Sequence, residues 1–169
     1  GPQISRLAEK FRSTDHESII KFPRPMLYSH DLDFSFSGLK TAVLYKLKAQ
    51  REITDSLREE VACAFEDAAV EVLINKTYRA LETFPETKTL IVAGGVSANK
   101  YLREKLEDFR KQFPSLSIYL PEKLLTTDNA IMIGIASFVS VTLRPEILSY
   151  PQPLVAQGNL PISSLSGSR

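Results

Sequence analysis

Cysteine is almost missing from this sequence. Cys63 stands alone, which excludes an internal disulfide and a cysteine-built zinc site and suits a reducing compartment. Histidine is nearly as scarce. His16 and His30 form no His-x-x-x-His pair, so the chain carries no complete histidine metal site, and both are expected on the surface. No apolar run reaches about 18 residues, so no membrane span is expected. The net charge is only +1, too small for a field that gathers polyanions, so any nucleic-acid contact must come from a local patch or from sequence outside this one. No Ser/His/Asp arrangement of a hydrolase is visible, and no GxGxxG fingerprint occurs. The start, Gly1-Pro2-Gln3-Ile4-Ser5, has neither a basic n-region nor an apolar h-region. A cytoplasmic protein without a signal peptide is the expectation. The missing initiator Met fits either a cleaved tag or a chain that begins inside a larger protein.

What is present is an ordinary globular balance, 43% hydrophobic and 24% charged, over 169 residues, enough for one domain with a real core. Ile4 to Phe11 reads as a short helix, and 13–32, holding Pro23 and Pro25, as a loop. Leu32, Phe34 and Phe36 alternate with Asp33, Ser35 and Ser37, which predicts a half-buried strand ending at Gly38. Leu39, Ala42, Val43 and Leu47 then take helical spacing. Ser56 with Glu59 resembles a capping box that opens a long helix. Its stripe runs through Leu57, Val61, Phe65, Ala68 and Val72 and is closed by Pro85.

The second half alternates. Thr89-Leu90-Ile91-Val92-Ala93 predicts a buried strand of parallel type. Gly94-Gly95-Val96-Ser97-Ala98-Asn99 is the turn after it, and 101–113 forms an amphipathic helix on Leu102, Leu106 and Phe109. Ser117 to Leu120 is a second strand. Thr126-Thr127-Asp128-Asn129 opens an apolar helix that Pro145 ends. This order predicts right-handed parallel crossovers and an α/β layer fold. Residues 144–169 are rich in proline and serine and are expected to lie extended, with disorder at the end.

Three places carry residues suited to chemistry. Gly94-Gly95 follows a strand and precedes a helix, so a ligand can approach bare backbone beside free N–H groups. A tight turn without a ligand is the plainer alternative. Asn99 either caps the helix or offers a donor and an acceptor to a nucleotide. Asp128 either caps the last helix or acts as a functional carboxylate. Both loops follow the carboxyl ends of predicted parallel strands, where open α/β sheets bind ligands. Cys63, between Ala62 and Ala64, reads as a packed residue. Lys21, Arg24, Lys40, Lys46, Lys48 and Arg51 form a modest basic concentration, either a solvated face or a nucleic-acid contact.

Four segments resemble one known family. Phe22-Pro23-Arg24-Pro25, Asp33-Phe34-Ser35-Phe36-Ser37-Gly38-Leu39-Lys40-Thr41, Ala93-Gly94-Gly95-Val96-Ser97-Ala98-Asn99 and Thr127-Asp128-Asn129-Ala130 are similar, in order and spacing, to segments of the tRNA N6-adenosine threonylcarbamoyltransferases. These were formerly named O-sialoglycoprotein endopeptidases. The resemblance implies an actin-like ATPase (ribonuclease H-like) fold of two lobes, with a mixed sheet and long flanking helices. Residues 1–143 would be the C-terminal lobe and 144–169 a tail. It implies transfer of threonylcarbamoyl from threonylcarbamoyl-AMP to N6 of adenosine 37 in tRNAs reading codons that begin with A. Gly1, Gly94, Gly95 and Asn99 would contact the substrate, and Asp128 would be a ligand of one divalent metal, iron by family. The family's metal histidines and first glycine loop belong to an N-terminal lobe that has no counterpart here, so this chain alone is expected to be inactive. Partners would be tRNA and other subunits of the threonylcarbamoyladenosine-forming complex. Two alternatives stay open: a lobe of another actin-like phosphotransferase, such as a carbohydrate kinase, and a non-catalytic lobe that docks on partners.

Overall fold

Helix α3 (Asp55–Thr83) is the spine around which most of the chain is arranged. The computed structural model describes residues 1–14 and 16–149. They fall into a unit Gly1–Thr127 and a second unit that starts at Asp128. The first contains α1 (Pro2–Arg12), α2 (Ser37–Lys48), α3, β1 (Thr89–Ile91), α4 (Lys100–Gln112) and β2 (Ser117–Tyr119), with 3₁₀ turns at Gly95–Ala98 and Lys123–Leu125. The second contains α5 (Ala130–Leu143) and the 3₁₀ turn Pro145–Leu148. The chain is mixed α/β, mostly helical, with a small parallel sheet.

Successive stretches of α3 face different neighbours. Val61, Ala64 and Ala68 pack with Leu39 of α2 and with Phe22. Ala62 and Cys63 pack with Ala8 and Phe11 of α1. Val70 meets Leu102 and Leu106 of α4, and Leu81 meets Phe109 and Ile118. Small side chains at 62–64 let α1 approach closely, and each larger apolar side chain so buried contributes about 1.5–3 kcal/mol. A single stripe would serve one neighbour; α3 serves α1, α2, α4, β2 and the segment of Phe22.

The capping box at Ser56 is not formed. Thr54 caps α3, its Oγ1 accepting from the Leu57 N–H at 3.3 Å. Glu59 instead pairs with Lys10 of α1 at 2.5 Å. A long-range ion pair took the carboxylate that the local box required.

The strand expected at Leu32–Phe36 is also absent. No strand pairs with this segment among the described residues, and it runs irregularly into α2. Local side-chain bonds win there. Asp31 Oδ1 accepts from Ser29 Oγ at 2.8 Å and from the Asp33 N–H at 3.1 Å. Phe34 and Phe36 stack on each other, centroids 6.3 Å apart, and remain exposed.

β1 and β2 pair in parallel, with Thr89 opposite Ser117, Leu90 opposite Ile118 and Ile91 opposite Tyr119. Among the described residues these two strands make up the sheet, where a mixed sheet was expected. Leu90 and Ile118 face the helices, while Ile91 and Tyr119 are exposed on the other side. β1 is therefore half-buried instead of buried, because α3 and α4 cover only one face. The two outer edges differ. On β2 the Ile118 carbonyl accepts from Arg110 at 3.1 Å, and the Pro121 carbonyl just beyond accepts from Arg103 at 2.6 Å. On β1 the ladder turns Thr89 and Ile91 outward, and among the described residues no strand adjoins them.

In the second unit the cap of α5 is Asn129, accepting from the Met132 N–H at 3.1 Å, and not Asp128. The helix ends at Leu143, just before Pro145, as expected. Of the tail, 145–148 forms a short 3₁₀ turn, and 150–169 lies outside the described residues.

Candidate functional site

The turn between β1 and α4 has the backbone that its glycines suggested. Gly94 sits at φ 85°, ψ 169°, a conformation open in practice only to glycine. A Cβ on Gly94 or Gly95 would meet no atom within 4 Å, so bare backbone borders open space. The φ of Gly95 is not in the positive region. Ser97 is buried and closes the turn, its Oγ donating to the Gly94 carbonyl at 2.7 Å. Arg103 then ties the turn to the end of β2 by donating to the Ser97 and Pro121 carbonyls, both at 2.6 Å.

Asn99 caps α4: its Oδ1 accepts from the Leu102 N–H at 2.8 Å. Its Nδ2 donates to Ser5 Oγ at 2.8 Å and to Glu66 Oε1 at 2.6 Å. Gly1 lies one helical turn from this point, since its carbonyl accepts from the Ser5 N–H at 3.2 Å. The Asn99–Ser5 bond thus ties the start of α4 to the first turn of α1, while Gly94 and Gly95 lie in the turn that leads into α4. Asp128, exposed, opens the second unit.

Behind Asn99 runs a charged network that sequence reading missed. Glu66, 5% exposed, takes Arg12 on Oε2 at 2.5 Å. Arg12 also donates to Asp67 at 2.5 Å and lies 3.6 Å over the Tyr101 ring. These carboxylates raise the Arg12 pKa against the burial that lowers it. Burial and the Asp67 charge push the Tyr101 hydroxyl up to about 12. Burial, seconded by Asp67, pushes the Cys63 thiol up to about 11, which agrees with a packed residue and not a nucleophile. The available signal was an acidic pair, Glu66-Asp67, inside the apolar stretch from Val61 to Val72.

Among the described residues no group of three His, Cys, Asp or Glu side chains could hold a metal ion. His16 and His30 are exposed, as expected. Asp128 is one carboxylate and does not by itself fit a resident metal. Arg24, of the basic concentration, is occupied by Glu71 at 2.8 Å, while Lys21, Lys40, Lys48 and Arg51 are exposed. No helix is long and apolar enough to cross a membrane among the described residues.

The chain is similar to named proteins over most of its length. A family model described as TsaD, tRNA N6-adenosine threonylcarbamoyltransferase, matches residues 1–135. A protein of that name from Nitrosospira multiformis is 46% identical over 136 residues, 80% of this chain and 38% of the relative. One from Burkholderia cenocepacia is 38% identical over 99% of this chain and 48% of its own length. One from Lacticaseibacillus casei is 42% identical over 82% of this chain and 40% of the relative. The chain spans less than half the length of these relatives. With the glycine turn, the Asn99 cap and most of the described residues inside the matched region, the chain belongs to the tRNA N6-adenosine threonylcarbamoyltransferase family.

Proposed function

We propose that this chain supplies the adenylate-binding wall of a tRNA threonylcarbamoyltransferase. The reaction would join the N6 amine of adenosine 37 of tRNA to the carbamoyl carbon of threonylcarbamoyl-AMP. The bond to the phosphate oxygen breaks, AMP leaves, and the amine gives up a proton. The surrounding fold would be a lobe of an actin-like, two-lobe enzyme that works in the cytoplasm with other subunits of a complex. One observation carries the reading: open space beside Gly94 and Gly95, in the turn that leads through Gly95–Ala98 to Asn99 and α4. Bare backbone and helix N–H groups suit a phosphate-bearing ligand. The role of these residues is to bind and orient the adenylate leaving group.

Asp128 would give one carboxylate to a divalent metal, iron by family, whose other ligands would come from polypeptide outside this sequence. Such a metal would polarise the carbamoyl carbonyl when bound. Because Asn129 caps α5, Asp128→Asn should lower the iron content of a full-length protein without unfolding the helix. Equal iron in the two proteins argues against a ligand role. The chain alone should not transfer threonylcarbamoyl, and transfer by the purified 169 residues with tRNA and threonylcarbamoyl-AMP would overturn this view.

The direct test is calorimetric titration of AMP into wild type and Asn99→Ala. Half a cleft should give roughly millimolar affinity, near −4 kcal/mol. Loss of Asn99 should weaken it by about 1–3 kcal/mol. Equal affinities would refute the adenylate role. A second reading, docking on a partner, is favoured by α5 itself, which buries none of its apolar side chains. Phe138→Asp should then abolish capture by purified partner subunits, and unchanged capture would refute docking through α5.

A further inference from the structure

The side chain of Asn99 has its bonds assigned by what its partners can do. A backbone N–H only donates, so the Leu102 N–H fixes Oδ1 toward α4. A carboxylate only accepts, so Glu66 fixes Nδ2 on the opposite side, with Ser5 Oγ as the second acceptor. Both amide hydrogens are then used, and one Oδ1 lone pair remains. Glu66 is itself held, buried, by Arg12 on its other oxygen. Arg12 in turn keeps Asp67 and the Tyr101 ring as partners.

We propose that Glu66 is a positioning residue that locks the Asn99 amide so that it can only accept from the bound nucleotide. This rests on the adenylate reading and deepens it. The nucleotide atom facing Asn99 must carry a hydrogen: a ribose hydroxyl or the adenine amino group, not a phosphate oxygen or a ring nitrogen. Without Glu66 the amide loses its strongest acceptor and can rotate, so the donor preference fades.

The test has two arms on the 169-residue chain. The first needs no ligand. The Asn99 side-chain amide is followed by ¹⁵N NMR in wild type, Glu66→Gln and Ser5→Ala. Wild type should show two protected, inequivalent amide protons. Glu66→Gln should speed their exchange about tenfold, and Ser5→Ala, which leaves the Arg12 pair intact, about threefold, as expected for charged and neutral hydrogen bonds. Unchanged exchange in both variants would overturn the lock. The second arm titrates AMP, 2′-deoxy-AMP, 3′-deoxy-AMP and purine riboside monophosphate. Wild type should lose about fivefold in affinity for the analogue lacking the donor that Asn99 meets. Glu66→Gln and Asn99→Ala should lose that discrimination. If Asn99→Ala binds AMP like wild type, the adenylate reading falls. If Asn99→Ala is weakened but Glu66→Gln and Ser5→Ala keep wild-type discrimination, the positioning role alone falls. Melting temperatures of all variants separate these outcomes from loss of fold.

Discussion

Lys76 and Asp31 join the last third of α3 to the loop that enters the Phe34–Phe36 segment. The Lys76 ammonium, with no side-chain exposure, donates to Asp31 Oδ1 at 3.1 Å, to the Asp31 carbonyl at 2.7 Å and to Ser29 Oγ at 2.7 Å. Arg79, one turn on, donates to the Ser29 carbonyl at 2.5 Å. Lys76→Met keeps the stem and removes three bonds. It should destabilise the chain by about 1–3 kcal/mol in urea unfolding. Asp31 is held below the usual carboxylate range by its bonds from Ser29 and Lys76. A lowered folded pKa contributes stability above the unfolded value, lost as pH falls through the folded one. The wild-type stability advantage over Asp31→Asn should therefore shrink below about pH 4. A pH-independent difference would contradict the ion pair.

Gly94 and Gly95 should respond differently to the same substitution. Alanine at 94 must adopt φ 85°, and should cost about 1–3 kcal/mol. Alanine at 95 meets neither a clash nor a positive φ, and should change stability by less than about 0.5 kcal/mol. Gly95→Val is then the cleaner steric probe of ligand approach. Equal losses from both alanine variants in thermal melts would contradict this backbone.

The cap of α3 is checked by a pair of hydroxyls. Thr54→Ala should lose about 1 kcal/mol, since Oγ1 holds the Leu57 N–H. Ser56→Ala, inside the first turn, should stay within about 0.5 kcal/mol of wild type. The reverse ranking in denaturant melts would restore the capping box.

Cys63 should be slow to react. Burial and Asp67 hold the thiol protonated up to about 11, and the thiolate is the reactive form. Native protein at pH 8 should therefore leave a disulfide reagent largely unconsumed, with one equivalent taken up on unfolding. Rapid stoichiometric labelling of the folded chain would show that the thiol is accessible.

The helices were legible because their apolar spacing is local. α4 shows one stripe, Leu102, Leu106 and Phe109, and buries that stripe. α3 was legible as a helix but not as a spine, because its neighbours come from separate stretches of chain on both sides of it in sequence. Period-two alternation at Leu32–Phe36 described polar and apolar order correctly and still gave no strand: local bonds of Asp31 hold the entry to the segment, and no strand adjoins it among the described residues. The glycine turn and its Asn99 cap could be read in sequence order. Glu66 could not: its partners Arg12 and Asn99 lie 54 and 33 residues away. Asp128 and Asn129 are adjacent possible caps, and geometry alone separates them.

The unequal edges of the β1–β2 pair limit how copies of this chain can associate. Arg110 occupies a carbonyl on the β2 side, while on the β1 side no strand adjoins Thr89 and Ile91 among the described residues. Pairing through β1 uses the same edge on both molecules, so it is two-fold and closes with four strands. Each outer strand of that closed sheet would be a β2 whose Ile118 carbonyl is taken by Arg110, which disfavours addition of a third molecule. Sedimentation at rising concentration should therefore reach a dimer and stop, and steady growth beyond two would mean that Arg110 does not guard its strand.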